Sequence, residues 1–434
     1  MTYAIILFAV TYVLMIAFSK YRPWIALASG LIFIISGMLP LNEVLGSLNF
    51  NVLLLIAGTM GLVQLFIDSK MPNRLADMVM NWVPNVCWAA VALSLFSGII
   101  SAFVDNVATV LMVAPVALAV CQKLKTNPVP IIIAIAVSSN LQGAATLVGD
   151  TTAIMLGGEL NMSFADFFWY QGKPSIFFAV ELGAALSAVI VWWLFRKEKG
   201  AVEKNKILTP VTDYVPTILL VGTIALLAAA SFAPDGWNLP EETNGIIACM
   251  MLVIGLVYTL IKEKKASALL SPLKAIDFET LGLLVGLFLM IGGIKHEGVI
   301  DSLGSLLAQL GGGNLFLMYT VIVWASVLIS AFIDNIPYVM TMLPLIAKMS
   351  VDMAGGDAEK AFLMSIPIYF GLLSGATLGG NMTPIGASAN IAGIGILRKA
   401  GYEVKNSDFF KIGIPFTFAA IVPAYIYIWL VFGV

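Results

Sequence analysis

Apolar runs of roughly 17–22 residues recur along this chain from one end to the other, each long enough to carry a helix across a bilayer core. In lipid a backbone must satisfy its own hydrogen bonds, and a helix does so within its own run. Composition agrees, since 60% of the 434 residues are hydrophobic and 11% charged, against about 25% charged in a soluble domain. The expectation is an all-α polytopic membrane protein. The first run, Thr2–Phe18, has neither a basic leader nor a small-residue cleavage site, and reads as a retained span rather than a signal peptide. Cys87, Cys121 and Cys249 lie in or beside apolar segments without disulfide or metal spacing. A single histidine, His296, excludes a His-rich metal site, and no P-loop offers ATP hydrolysis. The balance of 23 basic and 25 acidic residues gives no reason to expect a nucleic-acid partner.

The runs fall into two halves. Residues 1–195 hold spans at Thr2–Phe18, Pro23–Pro40 and Asn49–Asp68, then a mixed-face segment, Asn73–Val83. A stretch at 86–122 follows with no turn long enough to reach water, then an interrupted stretch at 130–158 and a closing span, Pro174–Phe195. A charged linker at 196–213, beginning RKEKGAVEKNK, leads into 214–434, where the order repeats. Its spans are Tyr214–Ala233, Asn244–Ile261 and Asp277–Ile294, and its mixed-face segment is Val299–Leu310. The hairpin-like stretch is 314–350, the interrupted one 361–395 and the last span Lys411–Val434.

The duplication is visible in residues. SAFVDN at Ser101–Asn106 returns as SAFIDN at Ser330–Asn335, and GAATLVGDTT at Gly143–Thr152 resembles SGATLGGNMT at Ser374–Thr383. Phe50, Gly58 and Pro115 match Phe278, Gly286 and Pro344, and ADFF at Ala165–Phe168 matches SDFF at Ser407–Phe410. Each half has an odd number of crossings whether its hairpin re-enters or spans, so the second half is expected inverted. With both termini outside, the loops assigned to the cytoplasm hold all of the 23 Lys and Arg residues except Lys173, Lys295, Lys348 and Lys360. Arg22, Lys70, Arg74, Lys123, Lys125 and the linker are among those inside.

Chemistry concentrates where the halves repeat. Asp105-Asn106 and Asp334-Asn335 sit near the midpoints of apolar stretches, where a charged side chain costs at least about 2.5–3.5 kcal/mol. The plain reading is that they cap the second arm of each hairpin. The functional reading is that these carboxylates bind a cation or carry a proton, the two competing for the same oxygens. Gly143, Gly149, Gly375, Gly379 and Gly380 are expected to break the interrupted helices. Thr146, Asp150, Thr151 and Thr152 line the first break; Thr377, Asn381 and Thr383 line the second. Glu181 and Asn140 are secondary candidates, with Gln142 as hydrogen-bonding glue. Asp68 and His296 align in the repeat but sit near span ends, where water solvates them.

At these residues the chain resembles the ion transporter superfamily, over roughly Phe50 to Thr417. GDTTAIML at Gly149–Leu156 looks most like NhaD-type sodium/proton antiporters. GGNMTPIGASANIAG at Gly379–Gly393 is closer to the ArsB-type and P permeases, and a citrate-transporter-like (SLC13-like) group is also similar. The dicarboxylate branch carries Ser-Asn-Thr at its hairpin tips, whereas this chain has Asp105-Asn106-Val107 and Asp334-Asn335-Ile336, which would repel a di-anion. What the resemblance implies is two inverted repeats, each with a re-entrant hairpin and a broken helix, forming a scaffold and an elevator-type transport domain. It also implies a homodimer in the cell (inner) membrane, with the mixed-face segments as connecting arms.

The reading is thus a secondary transporter rather than an enzyme. Sodium or lithium would exchange for protons at Asp105, Asp150 and Asp334, with Asn106, Asn335, Asn381 and the threonines as neutral ligands. No cofactor beyond these coupling ions is expected. A proton- or sodium-coupled carrier of an organic carboxylate or arsenite-like oxyacid is the alternative. An intramembrane aspartyl enzyme is the reading from another class, and it fits repeat-related Asp–Asn pairs poorly.

Overall fold

In the computed structural model, residues 1–124, 126–201, 208–233 and 239–433 are described. Lys125 and linker residues 202–207, two places expected to carry cytoplasmic positive charge, lie outside them. In the first half α1 (Thr2–Ala17) and α2 (Arg22–Ile35) lead through α3 (Val44–Ser47) to α4 (Phe50–Asp68) and α5 (Met71–Trp82). Then come α6 (Val86–Ser101), α7 (Asn106–Leu124), α8 (Val129–Gly143), α9 (Thr151–Glu159) and α10 (Ile176–Phe195). The second half holds α11 (Val215–Ser231), α12 (Thr243–Glu263), α13 (Leu270–Ala275), α14 (Phe278–His296) and α15 (Val299–Gly311). It continues with α16 (Leu315–Ser330), α17 (Asn335–Met353), α18 (Ala358–Gly379), α19 (Ser388–Lys399) and α20 (Asn406–Phe432). Among the described residues six helices are long and apolar enough to cross a membrane, and α15 with α16 forms a further apolar pair bent by 115°. This is a multi-pass membrane protein.

The hairpins are built from capping chemistry. Asn85 and Asn314 start the first arms, accepting the amides of Trp88 and Leu317 at 3.1 and 3.0 Å. Asp105 and Asp334 start the second arms, and Pro115 and Pro344 lie inside α7 and α17 at matched positions, where each removes one ladder hydrogen bond. Packing repeats the duplication crosswise. The α2–α14 pair mirrors α12–α4, the α6–α8 pair mirrors α16–α18, and α7–α19 mirrors α17–α9. Each hairpin therefore leans on the terminal half-helix of the other repeat, and α10 lies along α20. The core sits around α8 and α18, which are buried along nearly their whole length.

The matched glycines explain two of these crossings. A Cβ on Gly286 would lie 2.3 Å from the Ala26 carbonyl carbon, and one on Gly58 would lie 2.6 Å from that of Ala248. Both obstacles are backbone and do not swing away. Gly286→Ala is expected to cost about 1–3 kcal/mol through forced separation of α2 and α14. Melting in detergent checks this, with Gly46→Ala, whose Cβ meets nothing within 4 Å, leaving the melting temperature in place.

The body is all-α as expected, with one small addition and one correction. Trp169–Tyr170 pairs antiparallel with Lys173–Pro174. Gln171 and Gly172 both take left-handed backbone, φ 51° and 72°, the pattern of a two-residue hairpin turn. Strands this short leave no periodicity to read. Gly375, expected at a helix break, lies inside α18. Its missing Cβ would stand 2.6 Å from the Val323 carbonyl oxygen, so it serves helix contact rather than helix interruption.

Candidate functional site

The breaks and the hairpin tips meet at one cavity of about 380 Å³. Asp105, Asn106, Asn140, Asp150, Thr151, Asp334 and Asn335 line it. Four helix N-termini open onto it, those of α7, α9, α17 and α19. The geometry follows from local sequence, because a short polar step between two apolar helices leaves the second helix's first amides without partners. Asp105 Oδ1 accepts the amides of Val107 and Ala108 at 3.0 and 3.1 Å, and Asp334 Oδ1 accepts that of Ile336 at 3.1 Å. The capping role is therefore real at both tips. At Asp150, which precedes α9, the Thr152 hydroxyl donates to Oδ2 at 2.8 Å.

Asn106 is held rather than free. Its Oδ1 accepts from Ser101 at 2.7 Å, Ser139 donates to Ser101 at 2.9 Å, and Ser139 also approaches the Asn106 carbonyl at 3.1 Å. The amide of Asn106 rests on Gly143, where a Cβ would come within 2.6 Å of Oδ1 and 2.9 Å of the Asp150 Cβ. At Gly149 a Cβ would lie 2.7 Å from the Gly143 carbonyl oxygen. These glycines, with Gly379 and Gly380, have ordinary negative φ. Bare backbone is what the site requires of them.

The expected neutral ligands divide into two groups. Thr151 and Asn335 line the cavity. Thr146, Thr152, Thr377, Asn381 and Thr383 are buried behind it and occupied by protein partners. Thr146 and Thr383 donate to the carbonyls of Ala102 and Ala331, one at each hairpin tip. Thr152 meets Thr377 at 3.2 Å, joining the two broken helices. Asn140 donates to Asn381 at 2.9 Å and to Asn390 at 3.0 Å, while Asn381 donates to the Val137 carbonyl at 2.9 Å. The Thr152–Thr377 contact and the bonds of Asn140 and Asn381 fasten one repeat to the other. Glu181 stands apart from the cavity and engages Gln142.

Charge settles what such a cavity can hold. Its lining contains four aspartates, Asp105, Asp150, Asp277 and Asp334, and no Lys, Arg or His. Asp277 is exposed and caps α14, so water and backbone screen it. The other three contribute three negative charges, and four helix N-termini at about half a charge each return about two positive ones. About one negative charge is left before any cation outside the lining is counted. Among the described residues no group of three acidic, His or Cys side chains is placed to share a metal ion. Asp334 Oδ2 instead accepts from Arg22 Nη1 at 2.9 Å, whereas Asp105 and Asp150 form no ion pair among the described residues.

A second cavity of about 850 Å³ meets the opposite end of α9, lined by Glu43, Glu159, Lys295 and His296 among others. His296 Nδ1 lies 3.1 Å from Glu43. Asp68 lines neither cavity and accepts from Gln64 and Ser271 at 2.7 Å. Arg22, Asp277 and Asn390 were not visible as site residues in the sequence. Asn390 had a readable signal, being an amide in an apolar stretch beside a break. Arg22 had none, since its partner lies 312 residues away.

Paired hairpins, paired broken helices and a charged cavity inside an apolar helical body describe a membrane transporter. The citrate transporter family matches residues 11–368, and the chain belongs to that family. An uncharacterized transporter of Mycobacterium tuberculosis is 31% identical over 344 residues, covering 78% of this chain and 76% of the relative. The P protein of Homo sapiens is 27% identical over 446 residues, covering 86% of this chain and 52% of that protein. Among solved structures, the YdaH transporter of Alcanivorax borkumensis aligns with TM-score 0.60 at 14% identity, covering 89% of this chain and 87% of that one. MtrF of Neisseria gonorrhoeae, described among antimetabolite efflux pumps, aligns with TM-score 0.55 at 15% identity, covering 93% and 85%. The fold is shared with both. The resemblance to the ion transporter superfamily holds, and the chain is a transporter of the citrate transporter type, not an enzyme.

Proposed function

We propose that this transporter exchanges sodium or lithium for protons across the cell membrane, with Asp105 and Asp150 as the exchanging carboxylates. One observation carries the reading: both line a cavity without a single cationic lining residue, and neither has an ion-pair partner among the described residues. A carboxylate accepts a proton or a cation but not both at once, so loading one displaces the other. Thr151 and Asn335 supply neutral oxygens beside it, as hard cations favour. Movement of hairpins and broken helices as one body, α5 and α15 serving as arms, would carry the site between sides in an elevator cycle. Both termini lie outside in this proposal, as the distribution of Lys and Arg supports, and a homodimer completes it.

The family's description as citrate transporter favours a second reading, in which the carboxylates hold the coupling ion and helix N-termini receive an organic anion. Proteoliposomes with an acid interior and a pH-sensitive dye separate the two. Sodium or lithium chloride is expected to dissipate the gradient while potassium chloride does not. A response only to a carboxylate or arsenite would make the second reading the answer.

A further inference from the structure

Arg22 opens α2, which packs along α14, yet its guanidinium reaches the tip of the second hairpin. Nη1 donates to Asp334 Oδ2 at 2.9 Å while Nε donates to the Met15 carbonyl of α1 at 3.2 Å. Both groups of the ion pair are about four-fifths buried. Beside it, Tyr12 of α1 donates to the Pro337 carbonyl at 2.7 Å and contacts Thr341. These contacts join α1 and α2 to α17. The hairpin tip at Asp105 has no equivalent ion pair among the described residues.

The charge of the cavity gives the contact a role. About one negative charge remains once the helix N-termini are counted, and in this conformation a positive group tethered to α1 and α2 cancels it at Asp334. We propose that Arg22 is a positioning residue that acts as a tethered surrogate for the transported cation. With its guanidinium on Asp334 the cavity is neutral and holds no second monovalent cation tightly. When Arg22 withdraws, the cavity recovers its negative charge and binds one from solution. The two carboxylates of the duplicated phrase then have different jobs: Asp105 meets the cargo, and Asp334 meets either the cargo's field or Arg22. Because Nε is anchored to α1, the guanidinium stays behind if the hairpin moves, so the pair must break in each cycle. Arginine suits this task because its planar fork serves two partners at once, whereas a lysine keeps the charge without that geometry.

This inference rests on the cation-exchange reading, and the test separates the two. Sodium and lithium binding to the purified full chain is measured by titration in detergent against choline chloride, and turnover in proteoliposomes, for wild type, Arg22→Gln and Arg22→Lys. Loss of the surrogate in Arg22→Gln is expected to tighten sodium binding and lower KM by about fivefold, the scale of a modest ion pair. Turnover falls at the same time, because sodium held more tightly leaves the site more slowly. Arg22→Lys restores most of the wild-type KM. If Arg22→Gln weakens sodium binding or leaves KM unchanged, or if it melts and Arg22→Lys fails to hold the wild-type KM, Arg22 is a structural contact and the proposal is overturned. Absence of any sodium or lithium response in the wild type defeats the cation-exchange reading itself, and this inference with it.

Discussion

Asp105→Asn and Asp150→Asn are each expected to lower sodium-driven proton flux by about a hundredfold or more while the protein stays folded. The reasoning turns on what asparagine keeps. It caps a helix N-terminus about as well as aspartate, so the amides of Val107 and Ala108 retain an acceptor and stability should change little. What it loses is the charge and the titratable proton. A charge-assisted contact contributes about 1.5–3 kcal/mol, enough to remove one to two decades of cation affinity, and no proton is left to exchange. Flux in proteoliposomes and melting in detergent read the two effects separately. Flux preserved in Asp105→Asn would mean that this aspartate is a cap and nothing more.

Gly143→Ala is expected to damage the site almost as severely without touching a charged group. The added methyl would enter space held by the Asn106 amide and the Asp150 Cβ, at 2.6 and 2.9 Å. Asn106 has little room to yield, since Ser101 and Ser139 hold its side chain and carbonyl. The overlap costs about 1–3 kcal/mol if the surroundings shift, and any shift moves the first hairpin tip away from α9. A tenfold or greater loss of turnover is the expected reading, with Gly46→Ala unaffected. Normal turnover in Gly143→Ala would show that the tip and the break need not touch for transport.

The duplicated Asp–Asn phrases were legible because charge at the middle of an apolar run is costly and rarely repeated without use. Breaks at residues 144–150 and after Gly380 were legible for a related reason, as glycine, asparagine and threonine interrupt otherwise apolar sequence. The duties of the threonines were not. Thr146, Thr152, Thr377 and Thr383 carry the same hydroxyl whether they face a cavity or a neighbouring carbonyl, and only packing assigns the partner. Gly375 looked like Gly379 in sequence and differs from it only in what lies against its helix.

Sequence by itself determined the helical membrane body, the two repeats, the hairpin tips and the carboxylates that stand at them. These follow from hydropathy, capping and solvation, all of which act over a few neighbouring residues. Tertiary structure alone decided that Asp105 and Asp150 share a cavity, that Asn140 and Asn381 bind the repeats together, and that Arg22 meets Asp334. Those contacts join residues hundreds of positions apart, and the identity of a buried charge's partner is set by which helices pack together, not by the residues beside it in the chain.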